Sequence, residues 1–284
     1  MDKDFISIVK DQIKEDPEDA KGWQTLGFTY FKLEKDLVNA RISYEKALEL
    51  DDSLEASWAP LIEIYYWLKE YELGVSVFNK VSDLYQTNLN IWKYGGLCFR
   101  YGFDDFEKAH KCFQSALRFH PEDADLWFHA ACVYEVFFED YPIAVSSYQT
   151  CVEYDPEYYR AWGNMGFLYA TYLGDKDKGE ECYKKSIELN PQYSIALYNL
   201  GYLYNELGKP EESQECFERI LSYDPEYYTA WNSLGVIYGN YYQDNEKAEE
   251  CVRKSVEINP EYADGWNLLG IIYEHLHHDP EQAN

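Results

Sequence analysis

Apolar and small residues fall along one helical face in a unit that this chain writes repeatedly. Trp231, Leu234, Gly235 and Tyr238 stand at i, i+3, i+4 and i+7, the spacing that lines one stripe of an α-helix. After a short linker, Ala248, Val252 and Ser255 make a second such face. Asn259-Pro260 ends it, because proline has no N–H to donate and biases the residue before it out of α geometry. The pattern predicts two helices joined by a turn. Seven tryptophans mark its recurrence: Trp23, Trp58, Trp92, Trp127, Trp162, Trp231 and Trp266. Their intervals are 35, 34, 35 and 35 residues, then 69, which divides into 35 and 34 around Leu197. A fixed period of this size predicts a solenoid, whose units stack to bury faces that none can bury alone.

Tryptophan, then leucine-glycine, then tyrosine, then alanine and an aromatic, with a closing proline: this unit resembles the tetratricopeptide repeat family over residues 20–284. The small position carries Gly27, Gly96, Gly166, Gly201, Gly235 and Gly270, with Ala131 in the fourth unit. A glycine inside a helix costs about 0.5–1 kcal/mol relative to alanine, so six of them imply close approach of the paired helices. Tyr30, Tyr65, Phe99, Tyr134, Tyr169, Tyr204, Tyr238 and Tyr273 follow in register, and Pro121, Pro156, Pro191, Pro225 and Pro260 close units. The boundaries are 20–54, 55–88, 89–123, 124–158, 159–193, 194–227, 228–262 and 263–284, the last incomplete. Only the second and sixth keep 34-residue spacing. About six carry one extra residue between their helices. The resemblance implies an all-α, right-handed superhelical solenoid of antiparallel helix pairs.

Two regions depart from the pattern. The second unit has Ile62 for glycine, Gly74 for alanine, Gln86 for proline, and Pro60 inside its first helix. Pro60 removes the bond back to Ala56, so a kink or a changed inter-unit angle is expected there. Residues 1–19 are expected to form an N-terminal capping helix (Phe5, Val9, Ile13, then Pro17). The eighth unit stops before its second helix is complete. That predicts either a fragment of a longer protein or an end covered by another surface, including a second copy of the chain.

Charge narrows the partners. The chain has 25 Lys and Arg against 52 Asp and Glu, a net charge of −27. Phosphate backbones are bound by clustered basic residues, so nucleic acid is excluded as a partner, and anionic membranes are disfavoured by the same repulsion. No apolar run approaches the roughly 18 residues of a membrane span, and no leader-like start is present. Direct membrane insertion is not expected, and a cytoplasmic location is. The 29 tyrosines suit thin helix-pair layers that enclose few side chains fully.

Catalytic and cofactor chemistry finds no support. Cys112, Cys182, Cys216 and Cys251 share one repeat position. Adjacent helix layers lie roughly 8–10 Å apart, beyond the Cα separation of about 7 Å that a disulfide spans. They read as small buried hydrophobes. His275-Leu-His277-His278-Asp279 reads as a polar turn rather than a metal site. Phosphate loops and nucleophile turns are absent. No enzyme, cofactor or metal is predicted.

The resemblance places binding on the concave face lined by the first helices. Carried onto this chain, the positions include Lys93, Arg100, Phe128, Arg160, Asn164, Phe167, Tyr198, Asn199, Tyr202, Asn205, Asn232 and Asn267. Lys93, Arg100 and Arg160 would form a basic island that sets register. Asparagines alternating with aromatics would pair a ligand's backbone and hold its side chains. A clamp for the C-terminal carboxylate of heat-shock chaperones is poorly matched: Leu97 and His129 stand where asparagines should be, and Asn164 where arginine should be. The expected function is a non-enzymatic scaffold or adaptor for a peptide or protein segment. The rivals are the recognition region of a longer protein-modifying enzyme, and self-association through the eighth unit.

Overall fold

The computed structural model describes the backbone of residues 2–277 and the side chains of residues 6–274. Phe5, the His275–Asp279 cluster and Pro280 lie outside the described side chains. All regular elements among the described residues are helices. The chain divides into two compact bodies, Met1–Tyr154 and Asp155–Asn284. The first holds α1 (Asp2–Glu15), α2 (Ala20–Thr29), α3 (Leu37–Leu50), α4 (Glu55–Trp67), α5 (Tyr71–Val81), α6 (Leu89–Phe103), α7 (Phe106–Leu117), α8 (Ala124–Val133) and α9 (Tyr141–Tyr154). The second holds α10 (Tyr159–Phe167), α11 (Lys176–Leu189), α12 (Ser194–Glu206), α13 (Pro210–Tyr223), α14 (Tyr228–Asn240), α15 (Asn245–Ile258) and α16 (Ala263–His277). From α2 to α14, each even-numbered helix pairs with the helix that follows it, and pairs pack in chain order within each body. α1 packs on α2 and buries Ile6, Val9 and Ile13.

Three of the pairs close by setting a glycine against a large ring. A Cβ on Gly96 would lie 2.7 Å from the Phe113 ring, on Gly166 2.7 Å from Tyr183, and on Gly201 2.9 Å from Phe217. Those rings are buried, so the second helix reaches into a notch that only a missing side chain provides. Gly270 differs: nothing described lies within 4 Å of its would-be Cβ.

The tryptophans bridge units to turns as well as filling space. The indole Nε1 of Trp23, Trp127, Trp162, Trp231 and Trp266 donates to the carbonyl of the turn proline six residues earlier, at 2.8–3.2 Å. Trp58 bonds Asp52 in the same way. Trp92 has no such partner, and its Nε1 is buried unpaired; its turn carries Gln86 in place of proline. Where Leu197 replaces tryptophan, the carbonyl of Pro191 instead accepts from the Arg219 guanidinium at 2.9 Å.

The extra residue of the 35-residue units is absorbed at the end of the first helix. In those units the closing bond spans six residues: the N–H of Asp36 to Tyr30, Asp105 to Phe99, Asp140 to Tyr134, Asp175 to Tyr169, and Asp244 to Tyr238. In the two 34-residue units it spans five, Glu70 to Tyr65 and Lys209 to Tyr204. Three of the longer units widen into a π-helical turn, at Tyr30–Glu34, Tyr134–Phe138 and Leu168–Tyr172. The five aspartates then cap the second helix, each side chain accepting an N–H three residues on. This satisfies a donor that the helix start would leave open. Part of the chain's acidity is therefore structural.

The second unit repacks rather than degenerates. α4 runs continuously through Pro60. Ile62 fills the notch, so Phe78 of α5 turns instead onto Gly95 of α6, where its ring occupies the space a Cβ would need. Other units carry Leu, Met or Ala at the Gly95 position. Gly74 of α5 likewise accommodates Cys98 of α6, 2.7 Å from a would-be Cβ. Ile62, Gly74 and Gly95 are one compensated set.

Candidate functional site

The residues expected to bind lie on even-numbered helices, and their surroundings differ sharply. In the first body, the Lys93 ammonium sits 2.5 Å from Asp125 and 3.9 Å from Asp123. Its side chain is only 14% exposed, so its charge is already met by α8 and the turn before it. The Arg100 guanidinium lies over the Tyr101 ring at 5.0 Å, with a buried Nη1 that has no partner. It faces a polar cluster in which the Tyr148 hydroxyl donates to Glu135 at 2.6 Å and contacts Cys132. Burial raises the Glu135 carboxyl above its ordinary range, with Tyr148 and Arg100 opposing the shift. Phe128 is buried against His129 and Tyr148.

In the second body, Arg160 is exposed and Asn164 half-buried on α10. Phe167 is half-buried at the end of the same helix, edge-on to Tyr172 at 5.6 Å. Lys93 and Arg100 belong to one body and Arg160 to the other. Asn199 is half-buried on α12, and Asn267 is exposed on α16.

Four of the expected residues come together. Tyr198, Tyr202 and Asn205 of α12 and Asn232 of α14 line one cavity of about 150 Å³, with Phe217, Ser233 and Val236. The helical register explains this: 198, 202 and 205 lie at i, i+4 and i+7 on one stripe. Tyr198 packs on Phe217 and Tyr227 at centroid distances of 5.6 and 6.0 Å, and so is a wall. Tyr202 stands 55% exposed, leaving its ring open. The Oδ1 atoms of Asn205 and Asn232 are buried and have no hydrogen-bond partner. The Ser233 hydroxyl donates to the Thr229 carbonyl at 2.9 Å.

Phe217 and Ser233 were not among the expected residues, whereas Val236 lies one turn beyond Asn232 on the face expected to bind. Ser233 carries no sequence signal of its own, since serine at that position of a helix is unremarkable without its neighbours. Larger cavities lie elsewhere. One of about 480 Å³ is bordered by Trp231, Tyr238 and Cys251, and it contains none of the unpartnered buried polar atoms. All seven cysteines are buried free thiols. Among the described residues no group of three or more His, Cys, Asp or Glu could hold a metal ion, and no helix is long and apolar enough to cross a membrane.

Paired helices stacked through a small-residue notch, with a lined face on the first helix of each pair, define an all-helical repeat protein. Sequence models described as tetratricopeptide repeat match residues 159–193 and 228–262, 182–215, and 204–238. These matches place tetratricopeptide repeats within residues 159–262. No curated protein matches the sequence. Among solved structures, a tetratricopeptide repeat protein from Parabacteroides merdae is similar with a TM-score of 0.63 at 17% identity, over 89% of this chain and 98% of that one. YrrB, described as a TPR protein with an unusual peptide-binding site, gives 0.53 at 23% identity over 67% and 96%. The Cut9–Hcn1 assembly of the APC/C gives 0.60 at 14% identity over 92% and 50%. These likenesses concern the fold.

Proposed function

We propose that this chain is a non-enzymatic protein-interaction module that holds an extended segment of a partner protein along the first helices of its second body. The observation that carries this reading is the pair of unpartnered oxygens on Asn205 and Asn232, set in one cavity beside an open tyrosine ring. A buried acceptor left unpaired costs about 1–3 kcal/mol, and a bound donor would recover it. Asn164, Asn199 and Asn267 would extend the row, with Phe167 and Tyr202 holding side chains. That YrrB is described as having a peptide-binding site supports a peptide as the kind of ligand. The reading does not rest on Lys93, whose charge is engaged by Asp125.

A displayed random-peptide library tests it. The chain should select ligands that the Asn205→Ala/Asn232→Ala double variant binds about tenfold more weakly, the equivalent of one to two lost hydrogen bonds. The Lys93→Ala/Arg100→Ala/Arg160→Ala variant should lose less. Selection of the same ligands with equal affinity by the asparagine variant overturns the reading.

A second reading, self-association through α16, is favoured by the exposure of Trp266 (51%) and Ile271 (43%) on that helix. Light scattering over a range of concentrations decides it: a constant monomer mass removes this reading.

A further inference from the structure

The second helices of the second body border a surface that the groove reading does not use. First helices α10, α12 and α14 contact one another across units, whereas α11, α13 and α15 pack on first helices with no comparable contact among themselves. Clefts are left on either side of α13. One cavity, of about 210 Å³, lies between α11 and α13 over Leu197, Leu200 and Tyr204 of α12. The other, of about 480 Å³, lies between α13 and α15 over Trp231, Leu234 and Tyr238 of α14. The two floors are the same three repeat positions, and both are apolar. The Tyr204 hydroxyl already donates to Glu180, and the Tyr238 hydroxyl accepts from Gln214. An apolar side chain entering either cavity therefore strands no polar group on the floor.

Charge sets α13 apart from its neighbours. α11 carries four Lys against four Asp or Glu, and α15 carries three Lys or Arg against four Glu. α13 carries Glu211, Glu212, Glu215 and Glu218 against Arg219 alone. The Arg219 guanidinium donates to the Pro191 carbonyl at 2.9 Å. The other cations bordering the cavities are engaged by their own helices or turns: Lys184 by Glu180 at 2.6 Å, and Lys247 by Asp244 at 3.4 Å. Among the described residues no ion pair reaches the four exposed glutamates of α13. Glu211 and Glu212 stand in the first turn, where the helix dipole favours them. Glu215 and Glu218 lie beyond that turn, and like charges three or four residues apart on a helix repel. Glu215 borders the smaller cavity and Glu218 the larger.

We infer that this face is a docking surface for a basic amphipathic segment of a partner protein. Its apolar side chains enter the cavities on either side of α13, and its lysines or arginines lie over Glu215 and Glu218. The apolar floors select the anchors, and charge complementarity selects the cations. An acidic segment meets repulsion from α13, and a purely polar one leaves both floors uncovered. The surface shares no residue with the cavity between α12 and α14, so it is a second site and not a part of the groove.

Binding is measured by fluorescence anisotropy on the full chain, with a fluorescein-labelled peptide of leucine and lysine patterned as an amphipathic helix. A serine–lysine peptide and a leucine–glutamate peptide of the same pattern are the controls. The leucine–lysine peptide should bind about tenfold or more tighter than the serine–lysine one, the loss expected when apolar anchors stay in water. The leucine–glutamate peptide should not bind. Glu212→Gln/Glu215→Gln/Glu218→Gln should weaken the leucine–lysine peptide several-fold. Glu107→Gln/Glu122→Gln/Glu153→Gln, which removes the same charge from exposed positions of the first body, should leave it close to the parent. Ser222→Arg, at the exposed rim of the larger cavity, should weaken it without altering the core. Equal weakening by the two glutamine triples overturns the assignment, as do equal binding of the leucine–lysine and serine–lysine peptides, parent-like binding by Ser222→Arg, or no binding of the leucine–lysine peptide at all. Weakening by Asn205→Ala/Asn232→Ala also overturns it, because the peptide would then sit in the other cavity. Each of these failures leaves the groove reading standing, since that reading is judged by library ligands and the asparagine variant.

Discussion

Two glycines at the same repeat position should respond to alanine in opposite directions. Gly166 on α10 faces Tyr183, and a Cβ there would lie 2.7, 2.8 and 3.0 Å from three atoms of the ring. Non-bonded carbons rest at about 3.5–4.0 Å, so the ring would have to retreat by most of an ångström. Tyr183 is 2% exposed and has no room to do so. Overpacking of this kind costs about 1–3 kcal/mol, against about 0.5–1 kcal/mol gained by replacing a helical glycine. Gly166→Ala should therefore destabilise. Among the described residues nothing lies within 4 Å of the would-be Cβ of Gly270 on α16, so Gly270→Ala should keep the gain and stabilise by about 0.5–1 kcal/mol. The helix-propensity gain is common to both and cancels, so the variants should differ by about 1–3 kcal/mol, the overpacking cost. Stacked repeats open locally rather than all at once, so amide exchange is the assay. Protection should fall in α10 and α11 for the first variant and rise in α16 for the second. A Gly166→Ala chain as protected as the parent would refute the notch account of pair closure.

Trp127→Phe, which gives up an indole bond to Pro121, should cost about 0.5–1.5 kcal/mol more than Trp92→Phe, whose indole N–H has no partner; thermal melts that rank them the other way contradict this. Glu135 gives a pH test. Burial raises its folded pKa, so the stability it contributes is full below the unfolded value of about 4.3 and is lost as pH rises through the folded value. Glu135→Gln can still accept from Tyr148, so its melting temperature should gain on the parent as pH rises from the unfolded value through the folded one; parallel profiles would count against the buried-carboxyl account. The thiols offer the last test. Burial pushes Cys98, Cys112 and Cys216 up to about 12, and Cys182 and Cys251 to about 11. Since the thiolate is the nucleophile, an aromatic disulfide reagent at pH 8 should react slowly with the native chain and titrate all seven thiols in urea. Rapid native reaction of any one would show that the core opens there.

The repeat position of each proposed binding residue was legible because helical register is a local property. Tyr198, Tyr202 and Asn205 share a stripe by spacing alone, and the structure finds them on one cavity. Their partners were not legible. Whether Asn232 closes that cavity depends on how α14 lies against α12, which follows from packing between units. Lys93 shows the same divide: its place on a first helix is written in the sequence, while its pairing with Asp125, on the next first helix, is set by the stacking. The second unit reads as degenerate one residue at a time. It becomes intelligible only when Ile62 is seen to displace Phe78 onto Gly95, a compensation that crosses a unit boundary.

By itself the sequence determined the elements: two helices per unit, their apolar faces, the proline stops, and the phase in which all of them recur. Periodicity and proline stops act over a few residues of backbone, so they are encoded where they are read. Only the tertiary structure decided which polar groups stay unsatisfied. A lone pair on Asn205 or Asn232 is free because no donor from a neighbouring helix reaches it, and the Lys93 charge is spent because two carboxylates do. Those outcomes depend on distances between helices far apart in the chain, and no local pattern fixes them.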